Sequence, residues 1–312
     1  MPPSEPKPRK RTKHKPSDLT TEEVSNVVSL LKNLVADLDD EDEDGQIVIE
    51  SVQNVIRKLS QDTHLSFSDL TLNSLVNTQI TLRPLKWKTT GQDEATELRN
   101  NLIDGAVTVE ETKKNLCNIH KIVSMETEAG CRMVINVMLL HAALNLDSAE
   151  NGVAIAPEFR IDDTRLEPTG YTYGGVINYM IIFTDRSTRD LMVQSPKLAF
   201  LSEAVRKLLS CNIYEAKAKS DAVMTALPQA AMAAAVKAKQ LGLDTFRGCV
   251  ATSQEWLFFI YSCSDVGGKI SFMQPLELEK DFSNLSLILG LLRDWIENGH
   301  KKELRFCADF MD

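Results

Sequence analysis

One triplet of the sequence has side chains whose types and spacing suit chemistry. Glu215, Ala216 and Lys217 follow the apolar segment CNIY (211–214), whose composition is typical of a strand. Because side chains alternate along a strand, Glu215 and Lys217 share one face and Ala216 points to the other. A carboxylate there can bind a hard divalent cation, and an ammonium beside it can stabilise a phosphate oxygen. The spacing therefore suits metal-assisted phosphodiester hydrolysis; the plainer alternative is a solvated strand end or an ion pair.

The segment after the triplet predicts a helix that packs on the same sheet. Residues 221–242 (DAVMTALPQAAMAAAVKAKQLG) are rich in alanine and contain Gln229. Small side chains let a helix approach a sheet closely, and an amide inside that interface needs a polar partner. This context makes the triplet more informative than its three residues alone.

Strand-like and helical segments alternate through the second half of the chain. A helix is predicted at 195–210, between the second and third of the predicted strands, and another at the C-terminus over 284–298. Runs rich in β-branched and aromatic residues, separated by turn formers, predict strands at APEFRID (156–162), GYTYGGVINYMIIFT (170–184), CNIYEAK (211–217), TFRGCVATSQEWLFFIYS (245–262) and KISFMQPLEL (269–278). The fourth run has the pattern of a hairpin that turns at Ser253-Gln254. We therefore expect an α/β fold with a mixed central sheet.

The first part of the chain differs in composition and predicted structure. Residues 1–17 combine prolines with lysines and arginines and predict a disordered basic tail, either merely solubilising or serving as a nuclear import signal or phosphate-seeking arm. Residues 18–110 predict a mainly helical region with a solvated acidic loop at 37–45. Residues 111–312 are then the domain that carries the triplet, and the N-terminal helices are a candidate surface for a protein partner.

Composition and missing motifs exclude several classes of protein. A chain of 312 residues with 43% hydrophobic residues can bury a large core, and a net charge of −9 argues against a generally basic nucleic-acid binder. The six cysteines form no CxxC pair, and no GxxxxGKS/T, GxGxxG, GxSxG or HExxH motif is present. No apolar stretch approaches a membrane span and no secretory signal is seen. We expect a reduced intracellular protein, nuclear or cytoplasmic, without a membrane partner.

The order of the predicted segments over roughly residues 124–275 resembles a known superfamily. The matching pieces are ETEAGCRMVINVMLLHAALNL (126–146), YGGVINYMII (173–182), NIYEAK (212–217), ALPQAAMAAAVKAKQLG (226–242) and FRGCVATSQEWLFFIY (246–261). In this order they resemble the PD-(D/E)XK nuclease superfamily, and more closely the restriction-endonuclease-like domains of multicopy, often Crinkler-associated, fungal proteins. The resemblance implies a restriction-endonuclease-like central mixed sheet flanked by helices and a nuclease that depends on Mg²⁺ or Mn²⁺.

The resemblance also implies a role for each site residue. Glu215 would be a metal ligand, Lys217 the catalytic lysine, and Gln229 an amide that contacts the triplet or the substrate. Glu128, on the helix that precedes the sheet, would support the metal directly or through water, and Glu126 competes with it for that role.

Asn178 departs from the pattern of the superfamily. Its members usually carry a metal-binding aspartate at the position that reads Asn178 in the segment GVINY. An amide oxygen can coordinate magnesium but brings no charge, so metal affinity should fall. Two explanations stay open: an acidic residue from elsewhere, Asp162, Asp163 or Asp185, takes this place, or the site has decayed into a pseudo-nuclease.

The sequence thus predicts a metal-dependent nuclease-like protein acting on nucleic-acid phosphodiesters, with Glu128, Asn178 and Glu215 at a weakly bound Mg²⁺ or Mn²⁺. The first alternative is a catalytically inactive pseudo-nuclease that serves as a nucleic-acid-binding or protein-interaction (effector-like) module. The second is a structural protein that assembles through its N-terminal helices. Five basic residues near the triplet in sequence could form a phosphate track: Lys217, Lys219, Lys237, Lys239 and Arg247. The alternative is that Lys237 and Lys239 only solvate the outer face of their helix.

Overall fold

The chain divides into two compact units, one ending at His64 and the other beginning at Leu65. The structure is a computed structural model, and it describes residues 21–36, 43–61, 64–98, 106–166, 171–200, 210–219, 221–264 and 267–310. The predicted basic tail at 1–17 lies outside the described residues. None of the helices in the described ranges is both long and apolar enough to cross a membrane.

Two helices form the described part of the first unit, as the sequence predicts. These are α1 (Thr21–Ala36) and α2 (Glu43–Gln61). The acidic loop was predicted to continue to Gly45, but α2 already begins at Glu43. The remainder of the predicted loop, residues 37–42, lies outside the described residues.

The second unit alternates helices and strands over its whole length. Its helices are α3 (Leu72–Asn77), α4 (Gly91–Leu98), α5 (Val109–Ile122), α6 (Glu128–Leu144), α7 (Arg186–Gln194), α8 (Pro196–Ala199), α9 (Val223–Leu241) and α10 (Leu285–Glu297), with a 3-10 turn at Phe67–Asp69. Its strands are β1 (His64–Ser66, at the boundary), β2 (Ile80–Trp87), β3 (Asn151–Arg165), β4 (Thr172–Asp185), β5 (Ser210–Ala216), β6 (Thr245–Ala251), β7 (Glu255–Ser264), β8 (Gly267–Phe272), β9 (Leu276–Glu277) and β10 (Cys307–Asp309).

These strands form one mixed sheet. Its order is β1-β4-β5-β6-β7-β8-β2-β10, with β3 added to β4 and β9 to β7. The β5–β6 and β8–β2 pairs are parallel, whereas the β3–β4, β4–β5, β6–β7 and β7–β8 pairs are antiparallel. The predicted α/β fold with a mixed central sheet is confirmed, as is the β6–β7 hairpin, whose turn closes through Thr252 N–H to Glu255 O at 2.9 Å.

Helices cover the sheet on both faces. On one face α9 packs against β6 and β7 and shares an apolar cluster with Ile213 and Met180. On the other face α6 and α10 share a second cluster with Tyr214 and Ala216. A three-layer arrangement follows, in which the alternating side chains of β5 enter one cluster or the other.

Two sequence predictions differ from the structure in the region before residue 110. β2 lies where helical or irregular pieces were predicted, because its strand conformation depends on partners distant in sequence, β8 on one side and β10 on the other. The predicted domain boundary at 110/111 falls inside the second unit, whereas the chain divides at 64/65. The difference arises because β2 joins the main sheet and α4 packs against α10.

Candidate functional site

The triplet lies at the end of β5, an interior strand of the sheet. All residues of β5 are buried, and the Lys217 N–H continues the parallel ladder by donating to Ala251 O at 2.9 Å. Ala216 belongs to the apolar cluster on the α6 face. Glu215 and Lys217 instead contact Gln229, which α9 carries on the opposite face. The predicted alternation is confirmed.

A single carboxylate oxygen joins Glu215, Lys217 and Gln229. Glu215 Oε1 accepts from Lys217 Nζ at 3.1 Å and from Gln229 Nε2 at 2.7 Å. Lys217 Nζ also donates to Gln229 Oε1 at 3.0 Å, which closes a ring of three side chains. Glu215 is 4% exposed and the Lys217 side chain 20% exposed. The carboxylate is therefore enclosed, while the ammonium remains within reach of solvent.

Asn178 connects β4 to β5 where their backbone pairing ends. The last paired residues are Tyr179 and Tyr214. Beyond them the Asn178 N–H donates to Glu215 Oε2 at 3.4 Å, and Asn178 Oδ1 accepts from the Ala216 N–H at 2.8 Å. Asn178 Nδ2 donates to Glu128 Oε1 at 2.9 Å. Because the oxygen faces a donor and the nitrogen an acceptor, this network fixes the orientation of the amide.

Glu128 reaches Asn178 because α6 begins there. Thr127 caps the helix by accepting from the Gly130 N–H at 3.1 Å. Gly130 is required at this turn, since a Cβ there would collide with the carbonyl oxygen of Ser124. Glu126, the competing acid, is exposed. We call Glu128, Asn178, Glu215, Lys217 and Gln229 the site cluster; the structure brings all five predicted residues together.

The acidic residues expected to compensate for Asn178 lie elsewhere. Asp185 pairs with Asn151 at the far end of β4 and caps α7. Hydrogen bonds from the Ser187 hydroxyl and the Thr188 N–H hold the pKa of Asp185 well below its usual range. Asp162 and Asp163 lie in the irregular stretch of β3 opposite residues 173–175. The register of β3 and β4 therefore excludes these three as neighbours of Asn178.

An acid that sequence reasoning missed, Glu158, lies across from Asn178. The pairs Pro157–Tyr179 and Phe159–Ile177 flank it in the β3–β4 register. Glu158 has φ +49°, a left-handed conformation that is strained for a residue with a side chain. Its carboxylate pairs with Arg132, whose guanidinium also lies 4.0 Å from Glu128. The predicted strand APEFRID contains Glu158, but its place opposite Asn178 depends on the strand register.

Burial and the positive charge of Lys217 have opposite effects on the pKa of Glu215. Loss of hydration raises the pKa of the Glu215 carboxyl above its ordinary value, while Lys217 and the Asn178 N–H favour the charged form and Glu128 disfavours it. Burial likewise raises the pKa of Tyr179, and Arg132 counteracts that effect. The ammonium of Lys217 is thus the nearest compensation for charge on Glu215.

The donor types of the site cluster suit a hard cation, but the set is small. Glu128, Glu215 and Asn178 supply carboxylate and amide oxygens, which Mg²⁺ and Mn²⁺ prefer. Over the described ranges, no group of three or more His, Cys, Asp or Glu could hold a metal ion. The Asn178 oxygen already accepts from Ala216 N–H and its nitrogen faces Glu128. Of the three predicted ligands, only the two carboxylates carry the negative charge that a divalent cation prefers, and the amide as oriented adds little.

Most of the predicted phosphate track is buried or turned elsewhere. Arg247 is 1% exposed and paired with Asp294 at 2.7 Å. Lys237 is buried, with its ammonium over the ring of Phe200 at 3.9 Å. Lys239 donates to the Arg165 carbonyl at 2.8 Å. Of the other four basic residues, only Lys219 lies near the site cluster. Its backbone N–H donates to Met125 O. The track as predicted is wrong because α9 and β6 carry these residues inward or away.

A scan against protein-family models finds no match to the chain. A search of curated proteins likewise finds no similar sequence.

Proposed function

We propose that the protein is a metal-dependent nuclease-like protein that acts on nucleic-acid phosphodiesters through the site cluster, in a sheet of the restriction-endonuclease-like kind. One observation carries the proposal: Glu215, Lys217 and Gln229 meet at one carboxylate oxygen, over distances of 2.7 to 3.1 Å. Glu128 joins them through Asn178. Glu215 and Lys217 at the end of β5, with the second acid Glu128 at the start of α6, are the kinds of group that metal-assisted phosphodiester hydrolysis uses.

The residues of the chain take distinct roles in the proposed reaction. Hydrolysis breaks one P–O bond of the diester and adds the elements of water, the hydroxyl to phosphorus and the proton to the leaving oxygen. Lys217, being partly exposed, turns from Glu215 toward a phosphate oxygen and offsets its growing negative charge. Gln229 keeps its bond to Glu215 and holds that carboxylate in place.

Glu128 and Glu215 would hold the Mg²⁺ or Mn²⁺, which supplies charge neutralisation of the phosphate and a more acidic water when bound. With two carboxylates and a neutral Asn178, the proposed affinity is low, because divalent ions prefer more negative charge in their ligands.

A cleavage assay on DNA and RNA with Mg²⁺ or Mn²⁺ tests the proposal. We expect weak cleavage by the wild type and a gain of about ten-fold in Asn178→Asp, whose added charge strengthens ion binding. Glu215→Gln and Lys217→Met should each lower the rate about a hundred-fold, since each removes a group that stabilises the transition state. Glu126→Gln is the matched control, because Glu126 is exposed and one residue from the Thr127 cap.

Divalent-ion calorimetry on the same variants separates loss of the ion from loss of the chemistry. Glu215→Gln should abolish ion binding, whereas Lys217→Met should retain it. Equal cleavage by wild type and Glu215→Gln would assign the activity to a contaminant and end the proposal.

A second candidate function is an inactive pseudo-nuclease that still binds nucleic acid or a protein. The bonds of Asn178 favour it, because both ends of its neutral amide are already engaged, the oxygen with the Ala216 N–H and the nitrogen with Glu128. In that case oligonucleotides bind without divalent ions, with an affinity that falls steeply with salt, and neither wild type nor Asn178→Asp cleaves them. Fluorescence anisotropy over a salt series distinguishes this outcome from the first.

The remaining alternative is a structural protein that assembles through its N-terminal helices. α1 exposes three apolar side chains, Val27, Leu30 and Leu34, at helical spacing. A mass that rises with protein concentration, and that Leu30→Glu returns to the monomer value, would support assembly through this helix.

A further inference from the structure

A cavity of about 250 Å³ lies beside the turn of the β6–β7 hairpin. Its walls come from three segments: α5, the turn at Ser253 and Gln254, and the stretch of chain between β9 and α10. The volume is below the roughly 300–1,000 Å³ typical of pockets for drug-sized ligands. The cavity therefore suits a single ring system.

One buried hydroxyl of this cavity is unsatisfied. Ser253 lines the cavity and is 0% exposed. Its Oγ has no hydrogen-bond partner among the residues that the structure describes. Buried polar groups are usually hydrogen-bonded, and one left unpaired is unfavourable. A polar ligand atom would satisfy it.

The other walls combine an aromatic ring and neutral polar groups with three exposed charged residues, Lys121, Glu279 and Lys280. Phe282 and His120 meet edge to face, with ring centroids 5.9 Å apart. Burial, and then the charge of Lys219, lower the pKa of His120, so the imidazole is neutral and offers one donor and one acceptor. Gln254 adds an amide and Leu278 an apolar surface. An aromatic face, an apolar wall and uncharged donors and acceptors match a planar nitrogen heterocycle.

The cavity and the site cluster share one edge of the sheet. β5 and β6 are parallel, with Ala216 opposite Ala251, and Ser253 follows two residues later. Lys219 follows Lys217 by two residues, and its charge acts on His120 in the cavity wall. A nucleic-acid strand whose phosphate met Lys217 could place an adjacent base in the cavity.

We infer that this cavity binds one nucleobase of the nucleic-acid strand next to the site cluster. The base lies against the ring of Phe282, and the Ser253 hydroxyl bonds to its polar edge. The two lysines at the rim, Lys121 and Lys280, neutralise the flanking phosphates. This inference rests on the proposed function, whose substrate it describes more closely.

Phe282 provides a variant that removes the ring without straining the fold. Its φ is +60°, a conformation that glycine adopts freely and that costs a side-chain-bearing residue free energy. Phe282→Gly therefore removes the aromatic surface while relieving backbone strain. Phe310→Gly is the matched control, since Phe310 is 65% exposed and outside the cavity.

The test is a calorimetric titration with the four ribonucleosides, with inorganic phosphate as the comparison probe. We expect at least one nucleoside to bind the wild type, Phe282→Gly to weaken it about ten-fold and Ser253→Ala about five-fold, and Phe310→Gly to leave it unchanged. Urea unfolding of each variant confirms that the fold persists. A nucleoside bound equally by wild type, Phe282→Gly and Ser253→Ala would overturn the assignment.

The remaining outcomes separate this inference from the proposed function. If the protein cleaves or binds divalent ions but binds no nucleoside, the base site is wrong and the nuclease proposal stands. If phosphate alone binds and Ser253→Ala removes it, the cavity is an anion site and the inference fails. If nucleosides, ions and cleavage are all negative, both proposals fail.

Discussion

Strands β5 and β6 carry two ion pairs, which differ in how they are enclosed. At the start of β6, Arg247 pairs with Asp294 of α10; at the end of β5, Glu215 pairs with Lys217. The first pair, which we call the sealed pair, has side chains 1% and 2% exposed. The second, the open pair, combines a buried acid with an amine that is 20% exposed.

The partners of the sealed pair are mostly backbone carbonyls. The Arg247 guanidinium donates to Asp294 Oδ2 at 2.7 Å and to Glu303 O at 2.6 Å, with a longer bond to Lys301 O. It also lies 4.8 Å from the centroid of the Trp295 ring. Burial lowers the pKa of Arg247, and Asp294 opposes that effect. Backbone partners cannot move without the chain, so this pair is structural.

The partners of the open pair are mostly side chains. Glu215 is held by Lys217 and Gln229, and the Lys217 ammonium can rotate away into solvent. Such a pair can exchange one partner for a ligand without unfolding a strand. Burial of the acid therefore does not distinguish the two pairs, whereas the exposure of the cation does.

Removing the sealed pair's cation should give the largest loss of stability. Arg247→Met leaves Asp294 buried without compensation, so we expect the free energy of unfolding to fall by about 3–5 kcal/mol. Urea unfolding at neutral pH measures it. Arg247→Met combined with Asp294→Leu should recover most of the loss, because no charge is then left unpaired. A fall below about 1 kcal/mol would show that the pair is not sealed.

Removing the open pair's cation should have a smaller effect that depends on pH. The raised pKa of Glu215 means that the folded state binds its proton more tightly than the unfolded state. The stabilisation that protonated Glu215 gives the folded state is therefore fully present below about pH 4.5, and it is lost as the pH rises through the raised pKa of Glu215. Lys217 counteracts this loss, so Lys217→Met should cost about 1–3 kcal/mol near pH 8 and little near pH 4. Urea unfolding at both pH values measures it; equal losses at both would contradict the assignment.

A negative charge at position 178 should destabilise the folded protein when no divalent cation is bound. Asn178→Asp removes the donor to Glu128 and adds a third negative charge, which should lower the free energy of unfolding by about 1–2 kcal/mol without divalent ions. Added Mg²⁺ should restore it by binding the folded state. Asn212→Asp, near the start of β5 and opposite Arg247, is the control, which Mg²⁺ should not rescue. Thermal unfolding with and without Mg²⁺ tests both variants.

The smallest effect is expected at the exposed pair beside the site cluster. Glu158 and Arg132 have side chains 59% and 25% exposed, and surface pairs of this kind contribute little. Glu158→Gln should therefore change the free energy of unfolding by no more than about 0.5 kcal/mol, a baseline for the other variants. A loss above about 1 kcal/mol in urea unfolding would show that Glu158 supports the site cluster.

Local pattern alone predicted many elements. α6, α9, α10 and the β6–β7 hairpin lie where local composition, periodicity and turn residues indicate. Alternation along β5 predicted that Glu215 and Lys217 share a face. β2 was missed, because its pairing with β8 joins residues 80–84 to residues 268–272, a distance that no sequence window spans.

The sequence by itself determined the residue types and the short spacing of the triplet, and with them the face that Glu215 and Lys217 share. Tertiary structure alone decided which other side chains lie next to them. The register of β3 against β4 places Glu158 opposite Asn178 and leaves Asp185 at the far end, and the start of α6 brings Glu128 to the Asn178 amide. Tertiary structure also decided that the Arg247 side chain is enclosed and that the Lys217 side chain is partly exposed. The physical reason is that hydrogen-bond partners and exposure depend on elements that pack from distant parts of the chain, whereas alternation depends only on neighbouring backbone geometry.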